Sequence, residues 1–232
     1  MCRRILKTAT AISAVFIAFA VLARPTVATP VTINFTGSVP SWGVDPLFTT
    51  PSVAVGNSFN GSVTFDSNAT ETSSFPGTAN FYRDAVQALS ITFNGAGGSV
   101  TYMADNTINS SVINQIAVWN GRFSLEVTDF DRYGGQAPVT GPNEAGQVDE
   151  TPTVFVPIFV RWQLSGDFSD NVTNHTIPAG PPYLDTTYFE IAVLFQGQVG
   201  SNSYTQAWYY GVIENLESDQ NPIVPEPASL AL

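Results

Sequence analysis

The sequence predicts an all-β chain: an antiparallel β-sandwich, jelly-roll-like, of about nine or ten strands, with an N-terminal signal helix before it. Three observations predict it. Apolar residues recur with a period of two in several separate stretches, as side chains that alternate across a strand require. No window of comparable length carries a 3.6-residue stripe. Gly, Pro, Asn and Ser punctuate the stretches, the turn chemistry of antiparallel strands. Period alone does not separate a sandwich from a closed barrel.

Residues 1–28 read as a signal peptide. Arg3, Arg4 and Lys7 form a positive start, residues 9–23 are apolar, and Thr26, Val27 and Ala28 offer small residues for cleavage after Ala28. The apolar stretch is shorter than the roughly 20 residues of a membrane span; an uncleaved N-terminal anchor is the alternative. Residues 29–216 form the ectodomain. In 31–39, Val31, Ile33, Phe35 and Val39 share one face and Thr32, Asn34, Thr36 and Ser38 the other. The stretch 59–66 turns Phe59, Val63 and Phe65 inward, and 89–94 and 123–128 repeat the scheme. Residues 99–103 and 112–119 read as short strands.

The later elements are less regular. Residues 154–164 begin apolar on both sides (Val154, Phe155, Val156, Ile158, Phe159), which predicts a strand covered on both faces, with a bulge or edge at Pro157 because proline cannot donate to a ladder. Residues 188–196 and 204–213 form a hairpin about a turn-rich 197–203. Residues 133–153 and 165–186, rich in Gly, Pro and polar residues, read as two long loops. No solenoid repeat is present.

Composition excludes several functions. Eight Lys+Arg stand against 19 Asp+Glu, a formal net charge of −11. Four of the cations and the single Cys, Cys2, fall within residues 1–28, so cleavage leaves four arginines against the same nineteen acids, a net of −15. Such a chain is a poor binder of nucleic-acid phosphates. One Cys gives neither a disulfide framework nor a cysteine-based zinc site, so a folded core must supply the stability.

Catalytic signals are sparse. His175 is the only histidine, there is no Gly-x-Ser-x-Gly elbow, and no Ser-His-Asp set can be assembled around a loop imidazole. No catalysis and no cofactor are therefore expected. Paired carboxylates alone can hydrolyse glycosides. Glu126, Glu190 and the Asp129–Asp131 rim are the residues to ask about, and Asp129 and Asp131 also offer hard oxygen ligands for a structural Ca²⁺. The stronger binding signal is aromatic. Trp119, Trp162 and Trp208 are sugar-stacking candidates, with Tyr133, Tyr183, Tyr209 and Tyr210 beside them, because amphipathic rings suit partners with one apolar face. On a regular strand at least one of Trp208 and Tyr209 must face outward.

Residues 217–232 turn polar and then read Val224, Pro225, Glu226, Pro227, Ala228, Ser229, Leu230, Ala231, Leu232. Prolines at this density forbid helix and make an extended stalk. The segment resembles the opening of the sorting tail of bacterial PEP-CTERM proteins, with Pro225, Glu226 and Pro227 matching residue for residue. The spanning segment and basic cluster that follow in that family are not in this sequence, and five apolar residues cannot span a bilayer. Residues 31–95 also look like the N-terminal half of many such ectodomains, with a Phe35-Thr36-Gly37 strand and then Val55-Gly56 through Phe65-Asp66. The resemblance implies processing by signal peptidase and an exosortase, and residence at the surface or in the extracellular matrix of a Gram-negative-type bacterium. Membrane attachment would come only through the missing anchor. It implies no reaction; an extracellular polysaccharide is the expected partner if the ectodomain binds anything.

Overall fold

The computed structural model describes residues 30–75, 79–108, 112–119, 131–166, 177, 188–199 and 203–219. These form twelve strands and no helix: β1 (Pro30–Ser38), β2 (Ser58–Asp66), β3 (Ser73–Phe75), β4 (Ala79–Arg83), β5 (Val86–Gly95), β6 (Gly98–Ala104), β7 (Gln115–Trp119), β8 (Asp131–Thr140), β9 (Glu144–Val148), β10 (Thr151–Gly166), β11 (Tyr188–Val199) and β12 (Ser203–Ser218). The segment 1–28 with Ala28, the stretch 123–128, Asp129, His175 and residues 224–227 lie outside the described residues.

Alternation makes the strands where it was expected to. Val31, Ile33 and Phe35 of β1, Phe59, Val63 and Phe65 of β2, and Leu89, Ile91 and Phe93 of β5 are all buried. Removing each from water is worth about 1.5–3 kcal/mol. On the opposite face hydroxyls and amides pair across strands, as in Thr32 with Thr64 at 3.0 Å and Thr92 with Thr101 at 2.9 Å.

Every pairing is antiparallel, and β8 closes the sheet. One edge of β8 pairs with β10, from Asp131↔Gly166 to Phe159↔Pro138. Its other edge pairs first with β7, through Gln115↔Gln136, and then with β6, at Met103↔Thr140 and Ala104↔Val139. The circuit β8-β6-β5-β2-β1-β12-β11-β10 returns to β8 as an eight-stranded antiparallel barrel. β7, β4 and β3 branch from β8, and β9 extends β10.

One sheet curled onto itself thus stands where two facing sheets were expected, and twelve strands where nine or ten were. Three further expectations are corrected. Residues 133–153 are not a loop but most of β8, all of β9 and the start of β10; ladder partners on both sides hold the glycine-rich stretch extended. The start of β10 is covered on one face only, since Phe155 is buried while Val154 and Val156 are exposed. The last strand runs to Ser218, five residues past the expected 204–213, and Asp219 closes it by accepting from the Thr32 N–H at 2.9 Å. The irregularity expected at Pro157 is present: the β10–β11 register shifts between Pro157 and Phe159.

The barrel interior is largely aromatic. Tyr209 lies 4.8 Å from Phe48, 5.2 Å from Phe195 and 6.0 Å from Phe93, and Tyr102 meets Phe195 edge-on at 5.5 Å. Phe59 fills the space above Gly37 and Gly211, where a Cβ would lie 2.6 and 2.3 Å from its ring. Phe48 comes from the β1–β2 connection, which folds over the interior. Glu144, 2% exposed, pins that connection: the Ser52 N–H and hydroxyl each donate to its Oε2 at 3.1 Å, and the Tyr102 hydroxyl donates to its Oε1 at 3.2 Å. Donors of this kind are what a buried carboxylate requires.

Burial pushes the Tyr102 and Tyr209 hydroxyls well above their ordinary value of 10.0, and the Glu144 charge adds to both shifts by repelling a phenolate. A raised folded-state value means that the stabilisation is present below the unfolded-state pKa and is lost as pH rises past it. Above pH about 10 the unfolded tyrosines ionise while these two remain protonated in the fold, so stability declines there by about 1.4 kcal/mol per pH unit for each hydroxyl. Urea unfolding between pH 8 and 11 should show a decline that is shallower by nearly two protons in a Tyr102→Phe/Tyr209→Phe variant. Equal slopes in parent and variant would show that neither hydroxyl is held neutral.

Candidate functional site

The strand register builds one outer face across β7, β8, β10, β11 and β12. Residues directly opposed in antiparallel strands share a face. The pairs Gln115↔Gln136, Arg161↔Gln136, Arg161↔Ala192 and Ala192↔Tyr210 therefore set five positions in one row around the barrel. Their inward neighbours Ile116, Trp162, Ile191 and Tyr209 are buried, which fixes the row as outward. A second row, Ala117, Gly134, Gln163 and Glu190, runs beside it.

One end of this face is aromatic. Trp208 and Tyr210 alternate with the buried Tyr209 on β12 and pack edge to face at 5.7 Å. Trp42, from the turn after β1, lies 5.6 Å from Tyr210 with 51% of its surface exposed. The backbone sets this contact: the Tyr210 N–H donates to the Gly43 carbonyl at 2.7 Å, and the Asp45 N–H donates to the Trp208 carbonyl at 3.1 Å. The turn that carries Trp42 is thereby stitched along β12.

The other end is a shallow pocket of ≈ 40 Å³, to which Gln115, Gln136, Arg161 and Gln163 bring polar groups while most of its surface is apolar; Ala117, Gly134, Gly135 and Trp162 complete the lining. Its floor can be no higher than glycine, because a Cβ at Gly134 would lie 2.4 Å from the Trp162 carbonyl oxygen. Arg161 Nη2 stands 3.5 Å from Glu190 Oε1, a half-exposed pair whose worth is in placing the guanidinium more than in stability. The Gln136 side-chain amide donates to the Ile113 carbonyl at 3.1 Å.

The structure sorts the aromatic candidates. Trp208 faces outward. Trp162 is turned inward, 3% exposed and stacked 6.5 Å from Phe65, so it is a core residue and not a sugar platform: an even register places it beside Val160 and Leu164 on the buried face of β10. The backbone of Trp119 pairs with Ala79 and Arg132; its side chain is outside the description. Asp131 begins β8 opposite Gly166, and its side chain is likewise outside it. Among the described residues no group of three or more His, Cys, Asp or Glu could hold a metal. Sequence reasoning passed over Trp42, because it lies between strands; the signal available was a large ring in a Pro40-Ser41-Trp42-Gly43 turn, where no strand face could bury it.

No family model matches this chain. No curated protein and no solved structure matches it either. The reading of the face therefore rests on its own geometry.

Acrylamide quenching of single-tryptophan variants checks the assignment of faces. Trp42 should quench readily, Trp208 less so and Trp162 least. A Trp162 as accessible as Trp42 would place β10 in the wrong register.

Proposed function

We propose that this chain is an exported surface or matrix protein that acts by binding and not by catalysis. The observation that carries the export reading is the Val224-Pro225-Glu226-Pro227 segment, with the charged-then-apolar pattern of residues 1–28 as its support. The acidic, Lys-poor composition is consistent with a life in solution outside the cell. The ectodomain is a barrel with an interior filled by side chains, a scaffold and not a chamber.

A second reading has its own support. The Trp42, Tyr210 and Trp208 cluster is an outward group of rings, two on β12 and one on the turn stitched to it, and rings left in water are the usual platform for the apolar face of a sugar. This makes the barrel a carbohydrate-binding module, with polysaccharide as its partner. A hydrolytic role, which needs a pair of carboxylates across a cleft, has less to draw on: the residues lining the pocket include no carboxylate, and Glu190 is paired with Arg161.

Expressing the full gene with and without a partner exosortase, followed by fractionation, tests the export reading. The expected result is loss of the first 28 residues and recovery outside the cytoplasm, with the final location changing when the exosortase is present. Retention in the cytoplasm in both strains contradicts it.

A further inference from the structure

We propose that the aromatic cluster and the pocket are two ends of one site, which takes an extended, uncharged polysaccharide laid across the strands. This rests on the carbohydrate-binding reading above and adds the pocket, the direction of the chain and its charge class. The row from Tyr210 to Gln115 crosses four strand spacings, roughly 19 Å at about 4.8 Å each, the reach of several sugar rings. Between Tyr210 on β12 and Arg161 on β10 the row holds only Ala192, a methyl group 4% exposed beneath its neighbours. Gly134 keeps the far end low.

The side chains set the class of ligand. Gln115, Gln136 and Gln163 bring carboxamides to the pocket, with one amide hydrogen of Gln136 taken by the Ile113 carbonyl, and Arg161 brings a planar guanidinium; groups of both kinds match vicinal hydroxyls. Arg161, the charged residue of the pocket lining, is offset by Glu190 at 3.5 Å, on a chain whose formal net charge is −11. A polyanion would meet the field of the whole protein, with the pocket's Arg161 already paired to Glu190. A neutral glycan meets no such opposition.

Affinity electrophoresis of the full chain in gels containing hydroxyethylcellulose, glucomannan, xylan or dextran, against alginate and polygalacturonate, decides the class. Calorimetry with the disaccharide and hexasaccharide of the retarding polymer then decides the extent. At least one neutral polymer should retard the chain more than either acidic one. Tyr210→Ala, at the aromatic end, and Arg161→Ala or Gln136→Ala, at the polar end, should each weaken hexasaccharide binding by about tenfold or more, as central contacts do. Disaccharide binding should respond to only one end. Arg161→Gln, which keeps length without charge, guards against a folding artefact, and unchanged thermal unfolding of the variants is the control.

Hexasaccharide affinity untouched by the polar-end variants but lost in Tyr210→Ala would overturn the two-ended site and leave the stacking reading standing. Tighter binding of alginate or polygalacturonate than of any neutral polymer would overturn the charge class. No retardation by any polymer would remove both this inference and the carbohydrate reading beneath it.

Discussion

The double pairing of β8 is the constraint on which the rest of the molecule depends. A strand normally has one neighbour on each edge. β8 has β10 along one edge and, in succession, β7 and β6 along the other. That arrangement turns an open sheet into a circuit, whose β6–β8 join is held by two residue pairs. It also separates residues cleanly into two populations: alternate side chains become either common interior or continuous exterior. Both the aromatic filling and the outer face described above are consequences of it. The glycines at 134 and 135 belong to the same constraint, because β8 is wedged between β7 and β10 where a Cβ on either would meet backbone or the Ile116 side chain.

Closure also encloses polar groups: among the described residues Glu144, Asp45, Asn114 and Thr153 are buried. Glu144 is buried with no ion pair among the described contacts, and it is held instead by Ser52 and Tyr102. Removing its partners would leave a buried acceptor without donors, at about 1–3 kcal/mol for each lost group. What the arrangement gains is position. The Ser52 bonds tie the β1–β2 connection across the aromatic interior, with Phe48 seated between Phe155, Phe195 and Tyr209. The same connection carries Trp42 out to Tyr210. A buried carboxylate and an exposed ring are thus two ends of one ordered segment.

Much of the β-structure was legible because the period of two is a local signal. Val31, Ile33, Phe35, Phe59, Val63 and Phe65 announce their face within a few residues. Closure was not legible, since whether two edges meet depends on strands far apart in sequence, and β8 and β6 touch at only two pairs. Residues 133–153 were misread because Gly and Pro weaken a strand by composition, while here close approach to Trp162 requires glycine. Val154 and Val156 were misread because an apolar residue on an exposed face looks the same in sequence as one in a core. Of the outer face, Trp208 was legible from alternation alone. Trp42 and the Arg161 pocket were not, since neighbours two and three strands away assemble them.

The functional reading therefore stands or falls with the β8–β10 seam, which brings Gln136 beside Arg161. Antiparallel partners have Cα atoms about 4.5–5.5 Å apart, within the span that a disulfide bridges. The most direct measurement is oxidation of a Gln136→Cys/Arg161→Cys chain in which Cys2 is replaced by Ser, with Thr92→Cys/Thr101→Cys in the β5–β6 hairpin as a reference. The closed barrel predicts that both pairs cross-link under native conditions. A native protein that forms the hairpin cross-link but not the seam would contradict closure, and with it the face built across the strands.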